Sequence, residues 1–192
     1  MAERTRSRSG GDPQAVVEAA GPEVEVAIVV EDEAWMAVCG LDTAITSTAR
    51  RAYLRGRVAN DGASNATSGA IATLVVALLS DAGVRTLNQQ FRSQDKPTNV
   101  LSFPALGGPA AGGKMAGGDT RPLGDLALAY ETIAREARDD GIEIIDHVRH
   151  LIVHGVLHLL GHDHGADVEA DRMESLETSI LAELGVADPY AR

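Results

Sequence analysis

Hydrophobic and polar positions divide the 192-residue chain into short elements. VEVAIVV at 24–30 is rich in β-branched residues, follows Gly21-Pro22 and precedes acidic residues, the pattern of a first strand. From about Glu33 to Arg55 the pattern turns helical, with Gly40 and the following Leu41-Asp42 predicting a break into two. IATLVVALL at 71–79 reads as a buried second strand, and Ser80 as the N-cap of a helix running through Phe91, with Asp81 in its first turn. TNVLSFP at 98–104 is a third strand bounded by Pro97 and Pro104, and GDLALAY at 124–130 a fourth. Two helices close the chain, roughly 143–160 and 166–184, ended by Gly161 and Gly185 as left-handed caps. NDGASNATSG at 60–69 is a loop by composition, and the glycine-rich run 105–123 reads as a surface insertion. Four strands interspersed with about five to six helices predict an α/β (α+β) fold on a small mixed sheet. The strand order does not follow from the pattern.

Composition bounds this picture. A hydrophobic content of 44% and this length suit one domain with a sizeable core, so 23–192 is expected to form a single domain behind a disordered tail at 1–22. With two Phe, one Trp and three Tyr, that core is built from Leu, Val, Ile and Ala. The single cysteine, Cys39, cannot make an internal disulfide, fits a reducing compartment, and is expected to be a small buried hydrophobe. No run approaches the ~18 consecutive apolar residues of a membrane span. The Arg-bearing N-terminus lacks the apolar segment of a signal peptide, and Glu3 and Asp12 argue against a transit peptide.

The net charge of -11 argues by itself against a nucleic-acid partner. It is unevenly spread. Residues 47–100 carry a net of +4, from Arg50, Arg51, Arg55, Arg57, Arg85, Arg92 and Lys96 against Asp61, Asp81 and Asp95, whereas 121–192 carry a net of -9. A basic middle and an acidic end can set a positive face beside a metal, or can be solvated helix faces.

All six histidines lie between 147 and 164. HGVLHLLGHDH at 154–164 places His154, His158 and His164 in the metal positions of the zinc-protease template H-E-x-x-H-x-x-G-x-x-H, with Gly161 in register. His154 and His158 share one helix face, and Gly161 lets the chain turn back so that His164 approaches from the side. Three imidazoles with an open fourth position make a catalytic type of site, for which zinc is the expected metal. His150/His154 is a lesser competing pair, His162 an alternative to His164, and Asp163 a candidate outer partner or cap. His147 and His150 are expected to be ordinary helix residues. Gly155 stands where the protease template has its glutamate base. Zinc can bring bound water to a pKa of roughly 7 without a base, so the missing partner is a group for developing charge. That shifts the expected substrate from peptide bonds to phosphate esters, where Arg binds oxygens in bidentate fashion.

The candidate cation lies in LNQQFRSQDKPTNVLSFP at 87–104, where Arg92 and Lys96 sit near a helix end. This stretch, followed by GDLAL and then HGVLHLLGHDH, resembles the YbeY family of bacterial endoribonucleases and ribosomal RNA maturation factors. The family patterns L-N-x-x-[FYW]-R-x-x-x-x-P-T-N-V-L-S-F-P and H-G-x-L-H-L-x-G-x-D-H both match without a gap, and the order of elements agrees from about Val24 to Leu184. The resemblance implies a hydrolase with one zinc ion per chain on His154, His158 and His164, and Arg92 in the cleft as a residue needed for RNA cleavage. It implies a cytoplasmic, single-strand-specific endoribonuclease acting in small-subunit rRNA 3′-end maturation and ribosome quality control, with rRNA and ribosome-associated proteins as partners and no membrane. Lys96, Asn99 and Ser102 are possible substrate contacts, though Asn99 and Ser102 also suit a strand edge and turn; Asp125 reads as a turn residue. The tail before Gly21 and the loops at 60–69 and 105–123 depart from a compact family member. Two rivals remain: a zinc metalloprotease drawing a base from Glu169 or Glu174, and a non-catalytic assembly factor whose zinc is closed by Asp163 or His162.

Overall fold

The computed structural model describes residues 24–61, 71–106, 120–162 and 167–191. Strands β1 (Val24–Val30), β2 (Ile71–Leu79), β3 (Val100–Pro104) and β4 (Thr120–Ala129) form one sheet in the order β1-β2-β4-β3. β1, β2 and β4 are parallel, and β3 runs antiparallel to β4 at the edge, so the sheet is mixed. The helices are α1 (Leu41–Asp61), α2 (Asp81–Arg92), α3 (Tyr130–Asp140), α4 (Ile144–Leu159) and α5 (Asp167–Glu183). This is the α/β architecture that the pattern predicts.

The strand period of two sorts side chains to opposite faces. Leu74, Val76 and Leu78 of β2 enter the larger core with α1, α4 and α5, while Leu79 meets Val84 and Leu87 of α2 in a smaller one. α4 is apolar on most of its circumference and is the central helix of the larger core, contacting α1, α3, α5, β3 and β4. It therefore fixes the angular position of whatever it carries. Fully burying a Leu or Ile contributes about 1.5–3 kcal/mol, so a helix with Leu151, Ile152, Val153, Val156, Leu157 and Leu159 buried is held firmly.

Several expectations change in detail. The helical stretch from Glu33 does break at Gly40 (φ +73°), but its first part is a 3₁₀ turn (Glu33–Ala37) anchored by buried Trp35, whose indole donates to the Leu79 carbonyl at 3.0 Å. The second part continues to Asp61; the remainder of the 60–69 loop and the 1–22 tail lie outside the described residues. Ser80 caps α2 as expected, accepting from the Gly83 amide. β3 begins at Val100 rather than at Thr98. β4 begins at Thr120, so the last four residues of the expected 105–123 insertion are strand, paired to β2 from Ile71 onward; 107–119 lie outside the described residues. Asp125 is a strand residue opposite Val75 and Phe103, not a turn. Cys39 is exposed, because it falls in the turn between the 3₁₀ segment and α1 rather than in a packed helix.

α3 is an addition. It follows β4 with no intervening loop, and Ala129 offers no side-chain cap. The cap comes from α2: the Asp81 carboxylate accepts from the Thr132 amide (2.9 Å) and hydroxyl (3.0 Å), while Glu131 accepts from the Asp81 amide (2.7 Å). Two helix N-termini thus cap each other at the C-terminal ends of the paired central strands β2 and β4.

Candidate active site

His147, His150, His154 and His158 form one stripe along α4, since residues three and four apart share a helix face. Ring centroids are 6.2 Å apart for His147 and His150, 6.5 Å for His150 and His154, and 4.5 Å for His154 and His158. Only the last pair opens on a cleft of about 580 Å³ that also takes in Arg92, Asn99, Ser102 and His162. No described residue lining it is a carboxylate. His147 and His150 face a separate cavity of about 230 Å³, so the competing pair His150/His154 does not share one opening.

Each histidine of the stripe above His158 is held by a carboxylate from a neighbouring helix. Glu136 of α3 takes the His147 Nε2 at 2.8 Å, and Glu177 of α5 takes the His150 Nε2 at 3.2 Å and the His154 Nδ1 at 2.9 Å. Glu177 also accepts from the Tyr190 hydroxyl. Burial alone would push the Glu177 carboxyl up, but the hydrogen bonds from His150, His154 and Tyr190 outweigh it and hold the group down at about 2. Burial first, then the bond to Glu177, raises the Tyr190 hydroxyl. Glu177 takes the Nδ1 of His154, so of the two ring nitrogens Nε2 is the one suited to act as a metal ligand. Two adjacent imidazoles, one with its outer nitrogen fixed in this way, fit a borderline metal such as zinc. Among the described residues no group of three His, Cys, Asp or Glu side chains is disposed around one ion. The expected third ligand, His164, lies outside the described residues, as does Asp163.

α4 ends where the sequence predicts. Gly161 adopts φ +91°, and amide-to-carbonyl bonds from Gly161 to His158 (2.9 Å) and from His162 to Leu157 (3.0 Å) close the helix and turn the chain. The His162 Nε2 lies 3.1 Å from the Gly56 carbonyl of α1, which ties that ring to a neighbouring helix.

Arg92 enters the cleft because α2 stops there: Ser93 takes a left-handed conformation (φ 56°), and buried Asn88 donates to the Lys96 carbonyl at 2.7 Å, pinning the turn that leads into β3. The Arg92 guanidinium donates to the Ser102 carbonyl at 3.4 Å, a long bond that leaves most of its donors facing outward. Asn99 lines the cleft, but its amide is engaged by Glu136 (3.0 Å) and by the Val100 amide (2.7 Å), which makes it a strand-edge fixture. Ser102 faces α4 at the cleft wall. Lys96 is exposed and stands outside the lining residues. Of the seven basic groups in the middle of the chain, Arg51 and Arg55 pair with Glu183, and Arg85 pairs with Asp95, so part of the expected positive face is already neutralised.

Gly155 has a packing reason. A Cβ there would stand 2.6 Å from Cδ2 of Leu126, itself fully buried in β4, and 3.3 Å from the Ser102 hydroxyl. The glycine lets α4 lie close against the β3–β4 pair, and any side chain there would require Leu126 to shift. Glu169 borders a neighbouring cleft with Gly161 and His162, and Glu174 is exposed; neither reaches the histidine cleft. Gly155→Ala is expected to destabilise the fold on balance, since overpacking costs about 1–3 kcal/mol against roughly 1 kcal/mol gained in helix propensity. Urea unfolding would show a lower midpoint with an unchanged slope; an unchanged or raised midpoint would mean that Leu126 yields freely.

A model of the endoribonuclease YbeY family matches residues 44–185. A protein of Nitrobacter winogradskyi named endoribonuclease YbeY is 44% identical over 186 residues, covering 97% of this chain and 91% of that one. The chain belongs to the YbeY family. A YbeY protein of Bradyrhizobium sp. is 55% identical over 123 residues, 62% of this chain and 70% of that protein. The solution structure of a Thermotoga maritima protein aligns over 88% of this chain and all of its own with a TM-score of 0.50 at 20% identity, a likeness of fold. The stretch matched by the YbeY model contains Arg92, Asn99, Ser102, His154, His158 and Glu177, but not Tyr190.

Proposed function

We propose that this YbeY-family chain is an endoribonuclease that uses one zinc ion per chain and cuts single-stranded RNA in small-subunit rRNA 3′-end maturation and ribosome quality control. The supporting observation is that Arg92, from the end of α2, and His154 and His158, from the end of α4, line one open cleft free of carboxylates among its described residues. A phosphodiester is anionic before and during cleavage, so a cleft of imidazoles and a guanidinium suits it better than it suits a peptide. His154, His158 and, from its spacing, His164 would hold the ion. When bound, zinc supplies Lewis acidity toward a phosphate oxygen or toward water.

The remaining work falls to the chain and its substrate. Arg92 binds two phosphate oxygens and meets the charge that grows on them. Ser102 and the β3 edge shape the wall along which the strand lies. RNA brings its own nucleophile, the 2′-hydroxyl, which removes the need for a glutamate at Gly155. A metalloprotease finds no carboxylate base among the described residues of the cleft, and an open cleft does not suit a zinc serving only as a staple. No helix among the described residues is long and apolar enough to cross a membrane. Cytoplasmic location and association with the small ribosomal subunit and its proteins belong to the same proposal.

Purified protein should cleave a structured rRNA fragment, lose the activity on chelation and regain it with stoichiometric zinc. Termini carrying a 2′,3′-cyclic phosphate would assign the attack to the 2′-hydroxyl. Cleavage that survives thorough chelation would overturn the metal reading.

A further inference from the structure

We propose that Glu177 is the positioning residue of the metal centre, and that Tyr190 makes the segment after α5 part of that centre. The inference rests on the metal reading above. Glu177 is 1% exposed, and its two oxygens are divided. Oε1 belongs to the Nδ1 of His154 (2.9 Å), while Oε2 serves the Nε2 of His150 (3.2 Å) and the Tyr190 hydroxyl. A buried carboxylate carries a heavy desolvation cost, so a residue serving only to pack α5 on α4 would be apolar. Glu177 instead lies among buried Met173, Ile180 and Leu181 of α5 and aims its charge at the α4 stripe.

The geometry assigns it one task. By accepting from Nδ1 it selects the tautomer of His154 that carries its lone pair on Nε2, fixes the plane of the ring, and makes the imidazole a better donor to a cation. Tyr190 stands edge-on to the His150 ring, with centroids 5.8 Å apart and planes at 83°. It closes the second oxygen, so that the carboxylate cannot swing away from His154. Tyr190 reaches this place because the chain turns at Gly185 (φ +75°) and the Asp188 carboxylate accepts from the Tyr190 amide at 2.9 Å. The segment from Gly185 to Tyr190 is thereby fastened to the back of a candidate metal ligand.

The test is metal binding, read independently of RNA cleavage. Wild type, Glu177→Gln and Tyr190→Phe would be titrated with Co²⁺ against a chromophoric chelator, and the visible spectra of the cobalt forms compared. Glu177→Gln preserves volume but removes the charge and turns one of the two acceptor oxygens into a donor. It is expected to weaken Co²⁺ binding by about 10–100-fold and to shift the visible bands, with circular dichroism unchanged. Tyr190→Phe should weaken binding less than tenfold and shift the bands in the same direction. Wild-type affinity and spectrum in folded Glu177→Gln would overturn the proposal and leave Glu177 a strut. Should Glu177→Gln fail to fold, Tyr190→Phe carries the test, and its wild-type behaviour would overturn the proposal. A wild-type protein that takes up no Co²⁺ would instead remove the metal reading itself, and this inference with it.

Discussion

Arg92→Ala is expected to lower RNA cleavage by about 10²–10³-fold, the usual cost of deleting one group that meets developing charge, while leaving metal content and folding stability unchanged. The separation follows from position. Arg92 is the last residue of α2 and exposed, and among the described residues it makes a long contact to the Ser102 carbonyl. Removing it empties no core and strands no buried partner, so the stability change should stay within about 0.5 kcal/mol. The places of His154 and His158 are set by the core packing of α4, not by α2. Arg92→Lys should recover only a small part of the activity, because a lysine offers a point charge where a phosphate presents two oxygens. Single-turnover cleavage with metal content measured on the same samples is the check. Equal loss of metal and of activity would mean that Arg92 builds the site; undiminished cleavage would place the phosphate elsewhere.

What was legible in the sequence was what is encoded locally. The β-branched run 24–30 and the apolar run 71–79 give two strands at their observed limits, Ser80 marks the start of α2, and Gly40, Gly161 and Gly185 mark turns that need a left-handed residue. His154 and His158 could be read as a pair because four residues is a helix turn. What escaped depends on partners far along the chain. α3 has no cap of its own; its N-terminus is satisfied by Asp81, about fifty residues earlier. Glu177 is one of many acidic residues near the end of the chain, and only the packing of α5 on α4 singles it out. Gly155 is the instructive case. Measured against a protease template it is a missing base; in the folded chain it is a contact surface against Leu126. Neither view supplies a base at this position, and the second gives the glycine a packing reason of its own. The positive face inferred from charge is likewise thinned by pairs such as Arg85–Asp95, whose partners lie within hydrogen-bonding distance at 2.6 and 2.9 Å.

His164→Ala should abolish stoichiometric zinc binding and cleavage together, whereas His162→Ala should keep the metal. The two residues flank Asp163 just beyond the turn at Gly161, and sequence spacing alone favours His164. The structure adds a reason to set His162 aside. Its Nε2 faces the Gly56 carbonyl at 3.1 Å, so that nitrogen carries its proton and is spent on joining α1 to the end of α4. A ring held there can line the cleft without giving Nε2 to an ion. Loss of a true ligand from a set of three should exceed the ~10–100-fold that loss of an outer partner costs, and in practice should leave the protein metal-free after dialysis. For His162→Ala the expected effect is structural: a weaker α1–α4 junction and a modest fall in unfolding midpoint, with zinc content near one per chain. Metal analysis of both variants, dialysed against the same weak chelator, decides between them. If His162→Ala loses zinc and His164→Ala retains it, the third ligand has been assigned to the wrong side of Asp163, and the Gly56 contact must break when the ion binds. If both retain it, the ion is held without either, and the likeness to the three-histidine template ends at His158.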